Sequence, residues 1–448
     1  MGKKTLSCVK QLLIINSSLL IIASCSTQKQ ISKSAQFVLK DPSLRTAHVG
    51  ISIYEPATNK YWYNYQGDHY FVPASNTKIP TCYAAMKYLG DSLGCILKRE
   101  NDTAIFFLAN GDPTLLHPDF KRQVVIDYLQ KTNKKVYTSD VNWKEQPLGS
   151  GWAWNDYNDD YMAERSPLPV YGNVAKWTME SGSDGPLVYS IPEVNWIVNF
   201  DTARAKNFFV QRAISENVYK ITQGSEALKE QYVPFVTNGI NTALELLRDT
   251  IHKTITLVTP QIFGGNFLGD TLHVNLVRSQ PTDSLLKPMM HRSDNFFAEQ
   301  SLLMVRNEVL GMMNDEKIID TLLKKDFKDL PQKPRWVDGS GLSRYNLFSP
   351  QDFVAILNKM KNEFGLDRMK NIFPTGNEGT LSNYYRSETG YLFAKTGTLS
   401  GVVSLSGFLY TKKNTLLIFS VLVNNHNSAA TAVRRAVEKF IEGIREKY

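Results

Sequence analysis

The sequence predicts an α+β fold: an antiparallel sheet flanked by helices and interrupted by an inserted, strand-rich second domain, with a small third domain as an open alternative. Three observations carry this. Strand-like alternation occurs near both ends of the chain, at His48–Ile53 and Tyr61–Tyr65 and again at Leu392–Thr396, Val402–Tyr410 and Leu416–Val423. Helical periodicity marks Asn295–Leu310, Pro350–Lys361 and Ala429–Tyr448. Between residues 91 and 259 the pattern changes to short strands, Trp-rich loops and one clear helix, Asn241–His252. Pairing of the terminal strands would make 37–90 and 260–448 one domain and 91–259 its insertion.

The turn residues of Glu55–Lys60 and Thr411–Asn414 each join two of these strands. A chain of 448 residues is long for one core, and 42% hydrophobic with 21% charged residues suits a globular protein. The formal charge of +8 includes Lys3, Lys4 and Lys10 of the leader. No basic run interleaves with aromatics, which argues against a nucleic-acid partner.

Residues 1–25 read as an export signal, with those three lysines before the apolar stretch Leu12–Ile22. That stretch is shorter than the roughly 20 residues a spanning helix needs. Ile22-Ala23-Ser24-Cys25 resembles a bacterial lipobox, which implies acylation of Cys25 and a membrane anchor through a polar tether at 26–36. Cys82 and Cys95 are then the remaining cysteines and read as buried free thiols.

Chemistry points to Pro73–Met86. Ser75 and Lys78 are three residues apart at the start of a helical pattern, so a hydroxyl and an amine share one face. A neutral lysine can take the serine proton, giving an activated nucleophile without histidine. Pro80 fits only in the first turn. The spacing alone is weak, since it recurs at Ser7/Lys10, Ser26/Lys29 and Ser284/Lys287. Two further triplets raise it: Ser293-Asp294-Asn295 opens one helix, and Lys395-Thr396-Gly397 followed by Thr398 ends a strand. The chain runs more than twice as far from Ser75 to Ser293 as from Ser293 to Lys395.

These three elements, in this order, resemble the signature of penicillin-recognising serine enzymes. With the islands at 110–115, 151–156, 291–299, 338–346 and 394–401, the chain resembles the low-molecular-mass class C penicillin-binding proteins. These are D-Ala-D-Ala carboxypeptidase/endopeptidases with domains inserted after the nucleophile helix. The resemblance implies a penicillin-binding/β-lactamase-like domain; 176–233 carries no recognisable island.

It also implies roles. Ser75 would be acylated by the carbonyl between two D-alanines and Lys78 would be the general base. Ser293 would relay the proton to the leaving amine, and Asn295 would hold the substrate amide. Lys395, Thr396 and Thr398 would bind the terminal carboxylate, with Gly397 between them. The N–H groups of Ser75 and Thr398 would form the oxyanion hole. Asp156, Tyr161, Arg344, Leu399 and Ser400 would line a pocket for the third residue of the stem peptide. The partners implied are peptidoglycan stem peptides, β-lactams as inhibitors and a membrane holding the lipid anchor. No cofactor and no metal are required.

The enzyme would be exported to the periplasmic face, on the outer membrane if the cell has one. Alternatives are a β-lactamase, for which no matching water-activating glutamate motif is found, and a non-catalytic peptidoglycan-binding lipoprotein. Trp152 and Trp154 read as core, His291 as structural, Asp112 as a turn residue, and Gly339 and Gly341 as loop geometry.

Overall fold

The computed structural model describes residues 31–448 apart from 32, 37, 183–184, 202–206 and 260–273. The signal segment, Cys25 and residue 260 lie outside the described residues. Two compact units are present: one holds the chain to Asn76 with Leu330–Pro334 and Leu347–Tyr448, the other Thr77–Asp329 with Arg335–Asn346.

The first unit is built on an antiparallel sheet of five strands: β1 (His48–Glu55), β2 (Lys60–Tyr65), β3 (Leu392–Leu399), β4 (Val402–Tyr410) and β5 (Leu416–Asn424). Its order is β3-β4-β5-β1-β2, so the two ends of the chain meet where β1 pairs with β5. Alternation decides which face each residue takes. Val49, Ile51 and Ile53 share one buried core with Val433, Val437, Phe440 and Ile444 of the C-terminal helix Ala430–Lys447. On the other face, a Cβ at Gly50 would lie 2.5 Å from the Phe71 ring and 2.8 Å from Pro350, so only glycine fits there. Pro350 opens the helix Pro350–Phe364, capped reciprocally by Ser349 and Asp352. Helices therefore cover both faces, as expected.

The expected tether at 26–36 is corrected only where it is described, at 31 and 33–36. Residues 33–36 are helical, and Ile31, Ala35 and Val38 are buried in the core beneath β1. Apolar residues at i, i+4 and i+7 are a helical stripe that the polar character of 26–36 concealed.

The second unit contains a mixed five-stranded sheet, in spatial order Ile255–Leu257, Lys135–Ser139, Ala104–Ala109, Ser92–Glu100 and Asn275–Pro281. Helix Asn241–Ile251 packs on it, and so does Val124–Lys131, which corrects the expectation of one helix between 91 and 259. The β-branched run Val124-Val125-Ile126 favours strand locally, but burial of Val125, Ile126 and Leu129 fixes a helix. The unrecognised stretch 176–233 contributes to two three-stranded sheets. They enclose their own core of Trp177, Met179, Val210, Tyr219 and Ile221.

Three helices of this unit, Lys78–Tyr88, Thr282–His291 and Asn295–Leu310, pack against one another. Lys78 through Met86 are all buried. A helix covered on all sides is a rigid platform for whatever its first turn carries.

Candidate active site

Ser75 lies on a 3-10 turn, Ala74–Thr77, that leads straight into the helix Lys78–Tyr88. Pro80 is the third residue of that helix, in the tolerated first turn. The turn is pinned onto the sheet of the first unit. The Pro73 carbonyl accepts from Ser404 Oγ at 2.7 Å, and Asn76 Nδ2 donates to Ser406 Oγ at 2.6 Å. Ala74 adopts φ 48°, a left-handed conformation that non-glycine residues occupy at a cost.

Strand β3 runs directly against this turn. A Cβ at Gly397 would lie 2.2 Å from Ser404 Oγ, 2.8 Å from the Pro73 carbonyl oxygen and 2.9 Å from the Ser75 amide nitrogen. Glycine is what lets the strand approach the Ser75 N–H. Lys395 and Gly397, two apart, share a strand face, and Lys395 is fully buried with Nζ donating to the Thr396 carbonyl at 2.8 Å. Thr396 and Thr398 take the other face. There Thr396 Oγ1 donates to Thr380 Oγ1 at 2.7 Å, and Thr398 Oγ1 accepts from Arg434 Nη2 at 2.6 Å. Leu399 is half-buried and Ser400 exposed at the strand end.

The second unit supplies the surroundings of Lys78. Its side chain is fully buried, and Nζ donates to Asn295 Oδ1 at 2.6 Å and to the Ser340 carbonyl at 2.8 Å. Burial lowers its pKa from 10.5 to about 8, against the opposing pull of Asp338, Asp294 and Glu299. The amine is therefore poised to exchange a proton near neutrality.

Asn295 heads its helix, whose N-cap Asp294 accepts from the Phe297 amide at 2.9 Å. With Oδ1 on Lys78, its Nδ2 donates to the Tyr161 carbonyl at 3.0 Å. This positioning of Lys78 is a part the sequence did not announce. Ser293, just before, adopts φ 65°. Ser293, Asn295 and Tyr161 also line a cavity of about 290 Å³, with His117, Asp160 and Arg292.

The loop 338–346 places the Ser340 carbonyl. Asp338 accepts from the amides of Gly341 and Ser343 and from Asn346 Nδ2 at 2.6–2.8 Å. Glu299 accepts from the Ser340 amide at 2.7 Å, and burial pushes its carboxyl well above the usual range. A Cβ at Gly339 would lie 2.8 Å from the Ala298 carbonyl, so this glycine serves close approach and Gly341, at φ 84°, serves the turn.

Trp152 Nε1 donates to Asp338 at 3.0 Å, joining the aromatic loop to the loop carrying the exposed Arg344. Trp154, expected in the core, is 74% exposed. It belongs to a short 3-10 turn, Trp154–Asp156, with no buried residue. Tyr161 is exposed and its hydroxyl donates to Asp159 at 3.1 Å, with half-buried Asp156 close enough to add to the negative field on it. Asp112 shapes its turn by accepting from the Thr114 amide and hydroxyl. Cys82 and Cys95 are buried and are not joined in a disulfide. Among the described residues no His, Cys, Asp and Glu cluster could hold a metal ion.

Sequence reasoning missed Arg434, Thr380 and Glu299. Glu299 lies one turn along the helix from Asn295, a spacing that could have flagged it.

The fold is similar to that of a solved penicillin-binding protein 4. Penicillin binding protein 4 (dacB) of Haemophilus influenzae superposes with a TM-score of 0.70 at 20% identity, covering 92% of this chain and 98% of that one. In sequence, the D-alanyl-D-alanine carboxypeptidase of Actinomadura sp. (strain R39) is 24% identical, over 93% of this chain and 85% of its own length. The D-alanyl-D-alanine carboxypeptidase DacB of Haemophilus influenzae is 25% identical, over 82% and 83%. The profile of the D-Ala-D-Ala carboxypeptidase 3 (S13) family matches residues 31–444, and the chain belongs to that family. It is a serine D-Ala-D-Ala carboxypeptidase.

Proposed function

We propose that the enzyme removes the terminal D-alanine of peptidoglycan stem peptides through an acyl-enzyme on Ser75. The observation that carries this reading is the buried Lys78 amine, with its pKa lowered to about 8, three residues after Ser75 on one continuous helical stretch. Neutral Lys78 takes the Ser75 hydroxyl proton as Oγ attacks the carbonyl between the two D-alanines. The oxyanion forms against the N–H groups of Ser75 and Thr398, each worth about 3 kcal/mol in such sites. The proximity of strand β3 to the Ser75 amide supports that pairing. The C–N bond then breaks, and Ser293 passes the proton to the departing D-alanine nitrogen. Water hydrolyses the ester in a second round of the same steps.

Lys395, Thr396 and Thr398 bind the terminal carboxylate, while Asn295 holds Lys78 in place. Asp156, Tyr161, Arg344, Leu399 and Ser400 recognise a third stem residue that ends in an ammonium and a carboxylate. Asp156 meets the former, and Arg344 and Ser400 the latter. A cross-link presents the same D-alanine carbonyl, so endopeptidase cleavage follows from the same chemistry. β-Lactams acylate Ser75 and stay bound as inhibitors. Export and acylation at Cys25 complete the proposal, with 37–90 and 260–448 as the peptidase domain.

Labelled penicillin is expected on Ser75 alone, and Ser75→Ala is expected to lose the label while keeping its melting temperature. Undiminished labelling of that variant would sink the assignment. Digestion of purified sacculi, with the released muropeptides identified, separates trimming from cross-link cleavage. Cys25→Ala should move the protein from the membrane to the soluble fraction with its activity intact; continued sedimentation with membranes would point to another anchor.

A further inference from the structure

Arg434 lies in the second turn of the C-terminal helix Ala430–Lys447, and its Nη2 donates to Thr398 Oγ1 at 2.6 Å. A threonine hydroxyl has one proton to give and two lone pairs. Arg434 occupies a lone pair, so the Thr398 proton is left to point outward as a donor. A hydroxyl held this way favours an acceptor such as a carboxylate.

The charge of Arg434 points the same way. Among the described residues no carboxylate pairs with it, whereas its neighbour Arg435 pairs with Glu438 at 2.5 Å. Arg434 is half-buried and helps line a small cavity with Thr380, Thr396 and Tyr384. Strand β3 is the outermost strand of its sheet, so a ligand along that edge is within reach of both of its faces. On one face lie Lys395 and Gly397; on the other, two threonine hydroxyls and a guanidinium that no carboxylate pairs with among the described residues.

We infer that Arg434 is a specificity-determining residue for the substrate's carboxyl end. It holds the Thr398 hydroxyl as a donor and adds a positive charge that a C-terminal carboxylate, and no neutral end group, would meet. This rests on the carboxylate role proposed above for the strand Lys395–Thr398. Arginine suits the task because its planar fork keeps one N–H on Thr398 while others remain for the ligand.

The test compares two peptides ending in D-Ala-D-Ala, one with a free carboxylate and one with a carboxamide. Wild type, Arg434→Gln and Arg434→Lys are each assayed for kcat and KM. Loss of one charge-assisted contact predicts that Arg434→Gln lowers kcat/KM for the carboxylate about 10- to 100-fold, chiefly through KM. The carboxamide should change less than about threefold, and Arg434→Lys should recover part of the loss. Acylation by penicillin, which also carries a carboxylate, should slow in parallel with the first peptide. An equal fall on both peptides would assign Arg434 to the fold, and unchanged discrimination would remove it from recognition; either overturns the inference while leaving the function standing. A wild-type chain that neither releases D-alanine nor takes up penicillin would overturn both.

Discussion

Lys78 offers the sharpest quantitative test, because one buried amine links rate, stability and pH. Its pKa falls from 10.5 to about 8 through burial. Only the neutral amine can accept the Ser75 proton. About a tenth of the molecules carry it at pH 7 and about nine tenths at pH 9, so penicillin acylation should rise roughly ninefold with a midpoint near 8. Stability carries the opposite face of the same shift. Below pH 8 both folded and unfolded chains hold the proton, and the folded one bears the cost of a buried ammonium. Between about pH 8 and 10.5 the unfolded chain binds more protons, so folding stability rises with pH by about 3 kcal/mol in total. Lys78→Met has no proton to exchange there. The difference between wild-type and Lys78→Met unfolding free energies, measured in urea from pH 7 to 10.5, should therefore move by about 3 kcal/mol in favour of wild type. Parallel curves, or wild-type acylation that is flat between pH 7 and 9, would refute the assignment of Lys78 as a neutral base.

Gly397→Ala places a methyl group inside van der Waals distance of the Pro73 carbonyl and the Ser75 amide. It should cost about 1–3 kcal/mol of stability and slow acylation at least tenfold, read by urea titration and penicillin labelling; wild-type values for both would contradict the close approach. Asp156→Asn should slow cleavage of diaminopimelate-type peptides about 30- to 150-fold, as loss of a charge pair of about 2–3 kcal/mol predicts, and leave penicillin acylation nearly unchanged. Equal loss on peptides with a neutral third side chain would place Asp156 in the fold instead.

Local pattern was enough wherever local physics decides the outcome. Period-two runs at both chain ends announced β1, β2 and β3–β5, because alternation is what a sheet with two different faces demands. The helix Asn295–Leu310 was legible to the residue, since Asp294 caps it and Gly311 ends it in a left-handed conformation. The three short motifs could be read as sequence patterns because each spans only a few neighbouring residues of the turn and helix at Ala74–Tyr88, the start of Asn295–Leu310 or the strand Leu392–Leu399. Tertiary structure decided what depends on distant partners. Val124–Lys131 is helical against its β-branched start because its buried face matters more than its propensity. Trp154 is exposed although tryptophan is usually well covered, because it lies on a short 3-10 turn that buries none of its residues. The clamp on Lys78 joins residues 217 and 262 positions away, and Arg434 meets Thr398 only because the C-terminal helix lies on the sheet that ends in β3. Such contacts leave no period in the chain. They are fixed by how helices and strands pack, and that is set by the whole core together.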